Sequence, residues 1–210
     1  MFRHSLLLSL LTCYGSALAL QETWETGYIG EDTSGKHVLG YWNFEKQDGY
    51  KLHGAVLNSK GRFGSSLESF VGYPIQDKRH AAAVKVLPVT SAFTLEMWIK
   101  PKTDFKPELR CFLLDKKYVD HTDYQWQIGE ADKGGLRRMW VLLGFGSTSK
   151  MIYSDSVKLT ANEWQHVAFT YDGAGRGHFY HNGTAAGGAK LEGFGAVVSG
   201  KKELSLGDRL

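Results

Sequence analysis

The strongest constraint on this chain is a strict alternation of apolar and polar residues that recurs in four separate segments. AFTLEMWIK places Phe93, Leu95, Met97 and Ile99 on one side and Thr94, Glu96, Trp98 and Lys100 on the other. DYQWQIG sets Tyr124, Trp126 and Ile128 against Gln125 and Gln127. RRMWVLLGF sets Met139, Val141, Leu143 and Phe145 against Arg138, Trp140 and Leu142. WQHVAFTYD sets Val167, Phe169 and Tyr171 against Trp164, His166, Ala168 and Thr170. A period of two marks strands with one buried face, because successive side chains leave an extended backbone on opposite sides. No stretch of comparable length carries a helical period.

The 25 glycines fall between these segments, where antiparallel strands need turns. In NEWQHVAFTYDGAGRGHFYHNG, Trp164 to Asp172 reads as a strand and Asp172 to Gly175 as a turn. Gly177 to His181 reads as the return strand, and Asn182-Gly183 as a tight hairpin, because both residues tolerate positive φ. The expectation is an all-β fold, a jelly-roll β-sandwich of two antiparallel sheets. Asn182-Gly183-Thr184 is also a glycosylation sequon, meaningful only in a eukaryotic secretory host.

At the N-terminus, Arg3 and His4 precede an apolar run, Leu6 to Leu11, and Ala17-Leu18-Ala19 is a small-x-small cleavage pattern. Residues 1–19 read as a secretory signal peptide, followed by a polar lead-in over 20–37 and one domain over 38–210. The product is expected to be secreted, periplasmic or on the cell surface. A lipoprotein anchored through Cys13 is the alternative, for which Thr12 is a poor neighbour. The apolar run is too short to span a membrane. Without the leader the chain keeps 24 Lys and Arg against 22 Asp and Glu, a net charge of +2 that gives no basis for nucleic-acid binding. The doublets Lys116-Lys117, Arg137-Arg138 and Lys201-Lys202 read as solvated strand ends. Cys111 is then the single cysteine, which rules out an intrachain disulfide, and it reads as a buried apolar residue.

VLGYWNFE at 38–45, GRFGSSLE at 61–68, AFTLEMWIKP at 92–101 and the long stretch ending at Gly183 occur in that order. Together they resemble the laminin G-like, concanavalin A-like domains of exported bacterial proteins. The resemblance spans roughly residues 38–208 and implies a non-catalytic module for carbohydrate or adhesion, at times with calcium on its rim. In that family the segment matching ELSLGDR is usually followed by one more strand, whereas here the chain stops at Leu210. The domain therefore reads as C-terminally incomplete, with an open sheet edge that another protein or domain could cover. Laminarinase-type hydrolases of this fold carry an E-x-D-x-x-E strand. The nearest string here, Glu130 to Gly135, lacks the last acid, so no catalytic residue is assigned.

If the alternating strands share the concave sheet, Glu96, Trp98, Gln125, Gln127, Arg138, Trp140 and His166 line one groove. Rings that stack on sugar faces, beside amides and charges that bond hydroxyls, are what a polysaccharide or glycoconjugate requires. The bland reading makes Glu96, Trp98, Trp164 and His166 structural, with the whole chain a cell-surface domain that takes no small ligand. Asp115, Asp120, His121 and Asp123 crowd one loop, and Asp120 and Asp123 are the candidate calcium ligands. Asp172 and Asp208 are further rim candidates. His178 and His181 fall on opposite faces of a strand and cannot readily share a metal.

Overall fold

A computed structural model of the chain describes residues 37–46, 49–69, 72–73, 81–85, 91–116 and 120–209. The signal peptide, Cys13 and most of the lead-in lie outside the described residues. The chain divides into two units, residues 1–41 and Trp42–Leu210, and the architecture below is that of the second.

Among the described residues there are thirteen strands and no helix. They are β1 (Tyr50–His53), β2 (Val56–Gly61), β3 (Gly64–Glu68), β4 (Ala81–Val84), β5 (Phe93–Ile99), β6 (Cys111–Asp115) and β7 (Tyr124–Ala131). After them come β8 (Arg137–Gly144), β9 (Ser149–Tyr153), β10 (Gln165–Tyr171), β11 (Arg176–His181), β12 (Thr184–Lys190) and β13 (Leu204–Leu206). One sheet has seven strands in the order β1-β4-β13-β6-β7-β8-β9, and the facing sheet has four, β12-β11-β10-β5. All their pairings are antiparallel, so the fold is an all-β jelly-roll sandwich. The hairpin β2-β3 forms a small separate sheet.

The alternating segments bury the faces expected of them. Trp126 of one sheet meets Phe179 of the other at 6.4 Å between ring centroids, and Phe93 meets Tyr124 at 5.3 Å. Met139, Val141, Leu143, Ile152, Val167 and Phe169 are fully buried beside them. Each such side chain contributes about 1.5–3 kcal/mol by leaving water. On β5, by contrast, Phe93, Leu95, Met97 and Ile99 are only partly buried, because this strand has a neighbour on one side only among the described residues. Cys111 is likewise partly buried against the core, and burial pushes its thiol up to about 12.

The Asn182-Gly183 hairpin forms as expected, with φ of 49° and 77°, the pair of positive values that a two-residue turn of this hand needs. The Asn182 side chain also accepts the His166 N–H at 2.9 Å, tying the turn to β10.

In two of the three basic doublets the first residue is not solvated as expected. Arg137 is buried, and its guanidinium donates to the carbonyls of Leu109 (2.6 Å), Gly129 (2.7 Å), Lys106 (2.7 Å) and Phe105 (3.2 Å). The Phe105 ring lies 3.8 Å from its carbon. Lys116 is buried too, with Nζ 2.6 Å from Asp123 Oδ1. Alternation alone could not distinguish these from surface residues, because their partners, backbone carbonyls for Arg137 and a side-chain carboxylate for Lys116, are brought in by the fold.

Candidate functional site

The seven residues expected to share one groove are divided between two surfaces. β5 and β10 carry Glu96, Trp98 and His166 on the outer face of the four-stranded sheet. β7 and β8 carry Gln125, Gln127, Arg138 and Trp140 on the outer face of the seven-stranded sheet. The outer faces of a sandwich point away from each other across its core, so the two sets cannot contact one ligand together.

At Trp98 the four-stranded face is met by the chain's own hairpin. Arg62 and Phe63, at the tip between β2 and β3, close over Trp98. The guanidinium lies 4.6 Å from the indole centroid, and the Phe63 ring meets it edge-on at 6.0 Å. The His166 ring lies tilted beside the indole at 5.4 Å between centroids. A salt bridge of 2.8 Å from Lys102 to Glu68 ties the end of β3 to the segment after β5. His166 is buried, and burial lowers its pKa although Glu96 Oε2 is 3.7 Å from Nε2. His166 is thus packed, and the partly exposed Trp98 carries the hairpin side chains against its ring.

The seven-stranded face is different. Trp140 is partly exposed and Arg138 exposed, side by side along β8. The Trp140 ring lies over Gly129, where any Cβ would come within 2.4 Å of the indole, so this close packing needs glycine. Tyr153 of β9 flanks Trp140 at 6.1 Å between centroids, and the Arg138 guanidinium lies 5.8 Å from the Tyr153 ring. Arg138 Nε also donates to the Ser154 carbonyl at 3.2 Å, which fixes the guanidinium in this cluster. Tyr153 and Met151 are 45% and 46% exposed, uncommon for large apolar side chains standing together, and they extend the platform. Sequence reasoning missed both. The signal was the alternation in KMIYS, where Ile152 turns inward and Met151 and Tyr153 outward. That segment lies beside β8 as an edge strand instead of folding over it.

Inward from the platform, Gln125 and Gln127 face outward from β7 yet are buried. Gln125 Nε2 donates to Asp115 Oδ1 at 2.9 Å, and Gln127 Nε2 donates to Gln125 Oε1 at 2.5 Å. The carboxylate orients the first amide and the first amide orients the second. The chain of bonds therefore ends on an acceptor, Gln127 Oε1, which is buried without a hydrogen-bond partner. A buried polar atom left in that state costs about 1–3 kcal/mol.

The candidate calcium ligands have other partners. Asp123, with a left-handed φ of 52°, directs one oxygen to Lys116 and the other to the Gly200 N–H at 2.8 Å. An ammonium thus sits where a cation would bind. His121 Nδ1 meets Ser149 Oγ at 2.9 Å, and Asp120 is exposed. Asp172 accepts the N–H groups of Ala174 and Arg176, while the buried Asp208 accepts the Tyr73 hydroxyl. Among the described residues no three His, Cys, Asp or Glu converge as a metal set, and these side chains do not fit calcium.

Comparison with known proteins agrees with this architecture. Residues 76–209 match the model of a laminin G family described as the concanavalin A-like lectin/glucanases superfamily. No curated protein matches the chain. Among solved structures, the binding domain of a paraclostridial mosquitocidal protein is similar at 12% identity and a TM-score of 0.57, over 76% of this chain and 39% of that one. Botulinum neurotoxin type C, whose cell entry depends on two ganglioside molecules, is similar at 16% identity and a TM-score of 0.55, over 77% and 38%. Domain 4 of an extracellular arabinanase from Geobacillus stearothermophilus, in complex with arabinotriose, is similar at 15% identity and a TM-score of 0.50, over 76% and 73%. This chain therefore spans about two fifths of the two toxin structures. At such identities these likenesses speak to fold alone, and with the family match over well over half of the residues they agree: the chain belongs to the concanavalin A-like lectin/glucanases superfamily.

Proposed function

We propose that this domain is a non-catalytic binding module that takes a polysaccharide or glycoconjugate on the outer face of its seven-stranded sheet. The observation that carries the reading is the contrast between two tryptophans in equivalent strand positions. Both rings are partly exposed, but Trp98 carries Arg62 and Phe63 of the β2-β3 hairpin against it, whereas Trp140 stands beside Tyr153 and the exposed Arg138 of its own sheet. Two rings can stack on the apolar faces of a sugar, and the guanidinium beside them donates hydrogen bonds to hydroxyls. The arabinotriose bound to the arabinanase domain and the gangliosides of the neurotoxin support a sugar as ligand for a sandwich of this kind. Export through residues 1–19 is part of the proposal and would put the module where polysaccharides occur.

The test is binding of the purified chain to a glycan panel, with release of reducing ends followed in parallel. The expected result is retention on one glycan class without release. Trp140→Ala should weaken binding about tenfold, the loss of one well-made contact of 1.4 kcal/mol, while the domain stays folded. Trp98→Ala should do the reverse, lowering the melting temperature. Full binding by a folded Trp140→Ala variant would place the site elsewhere.

A further inference from the structure

On the same outer face, three strands away from the aromatic platform, lies a separate pocket. It has a volume of about 260 Å³ and is lined by Ala83, Asp115, Lys116, Lys201, Lys202, Glu203 and Ser205. Its floor is built from the centre of the sheet. Ser205 of β13 stands opposite Ala83 on one side and Asp115 on the other, and all three are buried. Its mouth is the exposed segment Lys201-Lys202-Glu203 leading into β13.

The electrostatics of this face are uneven. Lys116 is neutralised by Asp123 below the surface. Lys201 and Lys202 have no ion-pair partner among the described residues. Lys51, paired with Ala83 across β1 and β4, and Arg138 on β8 add two more outward cations, against the acids Asp115 and Glu203. Of these described groups, four cations stand against two acids on the sheet face that holds the aromatic platform. From β13 to the platform strand β9 is four strand spacings, about 19 Å. The Asp115-Gln125-Gln127 chain of hydrogen bonds runs across part of that span and leaves an acceptor at its far end.

We propose that this pocket receives the acidic group of a sugar, a carboxylate or a sulfate, and that the ligand of this domain is an anionic glycan. The ammonium groups of Lys201 and Lys202 at the mouth meet the anion. The aromatic platform holds a neighbouring part of the same chain. A compact, rotatable ammonium suits either oxyanion as a point charge, so the pocket by itself does not prefer carboxylate over sulfate.

This inference rests on the glycan-binding reading, and its test separates the two. The whole chain is titrated by calorimetry with polygalacturonate (carboxylate only), dextran sulfate (sulfate only) and a neutral arabinan, in low and moderate salt. The same titrations are made with the double variant K201Q/K202Q, whose positions are exposed and outside the core. The wild-type chain is expected to bind one or both acidic polymers about tenfold more tightly than the neutral one, with the preference shrinking as salt rises. The double variant should lose that preference while its weaker binding to arabinan is unchanged. Equal affinity for neutral and acidic polymers, or undiminished acidic-glycan binding by the double variant, overturns the pocket assignment and leaves the platform standing. Silence toward every polymer from folded protein overturns the glycan reading and this inference with it.

Discussion

At the scale of single residues, the buried cations carry more of this structure than any surface charge. Arg137 makes no salt bridge among the described residues. Its guanidinium is instead satisfied by four carbonyls, three of them in the 105–109 segment, so one side chain fastens that loop to the sheet. A planar fork with five N–H groups can do this, and a lysine with three cannot, even at equal charge. Arg137→Lys should therefore cost about 2–3 kcal/mol in urea unfolding, because carbonyls are left unpaired in a buried site; an unmoved midpoint would falsify the clamp. Two histidines make stability depend on pH. Burial lowers the pKa of both His166 and His181 below the ordinary value. The unfolded chain then takes up protons that the folded chain refuses. Above about pH 6.5 both states are neutral at these sites and nothing is lost, but as pH falls below that value the unfolded state gains. The melting temperature should drop between pH 7 and pH 5, and His166→Gln should make the slope shallower.

At the scale of elements, the two neighbouring strands β5 and β10 have the same alternation but unequal surroundings. β10 lies between β5 and β11 and buries Val167, Phe169 and Tyr171, whereas β5 leaves its inward residues partly open. Truncation should reflect this difference: about 3–5 kcal/mol for Phe169→Ala, and no more than about 2 kcal/mol for Leu95→Ala, where water already reaches the site. Chemical denaturation of both variants checks the ranking, and equal losses would mean that β5 is covered in solution. The hairpin β2-β3 makes a related point. It lays Arg62 and Phe63 against Trp98, a contact that nothing in the AFTLEMWIK pattern discloses.

At the scale of the whole molecule, the Lys116–Asp123 pair joins parts of the chain far apart in sequence, since Asp123 also holds the backbone at Gly200. Removing one partner from a buried pair costs about 3–5 kcal/mol, because a charge is left alone out of water. Asp123→Asn should therefore lower the melting temperature sharply, while calcium or a chelator leaves the wild-type value in place; a chelator-induced drop would restore a metal role for this loop. Strand positions, inward faces and the Asn182-Gly183 turn were legible in the residues alone, because alternation and positive-φ preference act over two or three neighbours. The division of the candidate residues between two opposite faces was not legible, since sheet membership depends on pairing between distant strands. Nor was the burial of Lys116, Asp123 and Arg137, or the exposure of Tyr153 and Met151. Local sequence determined that each of these strands has an inner and an outer side; only the tertiary structure decided which outer sides meet solvent, because that depends on what the rest of the chain lays over them.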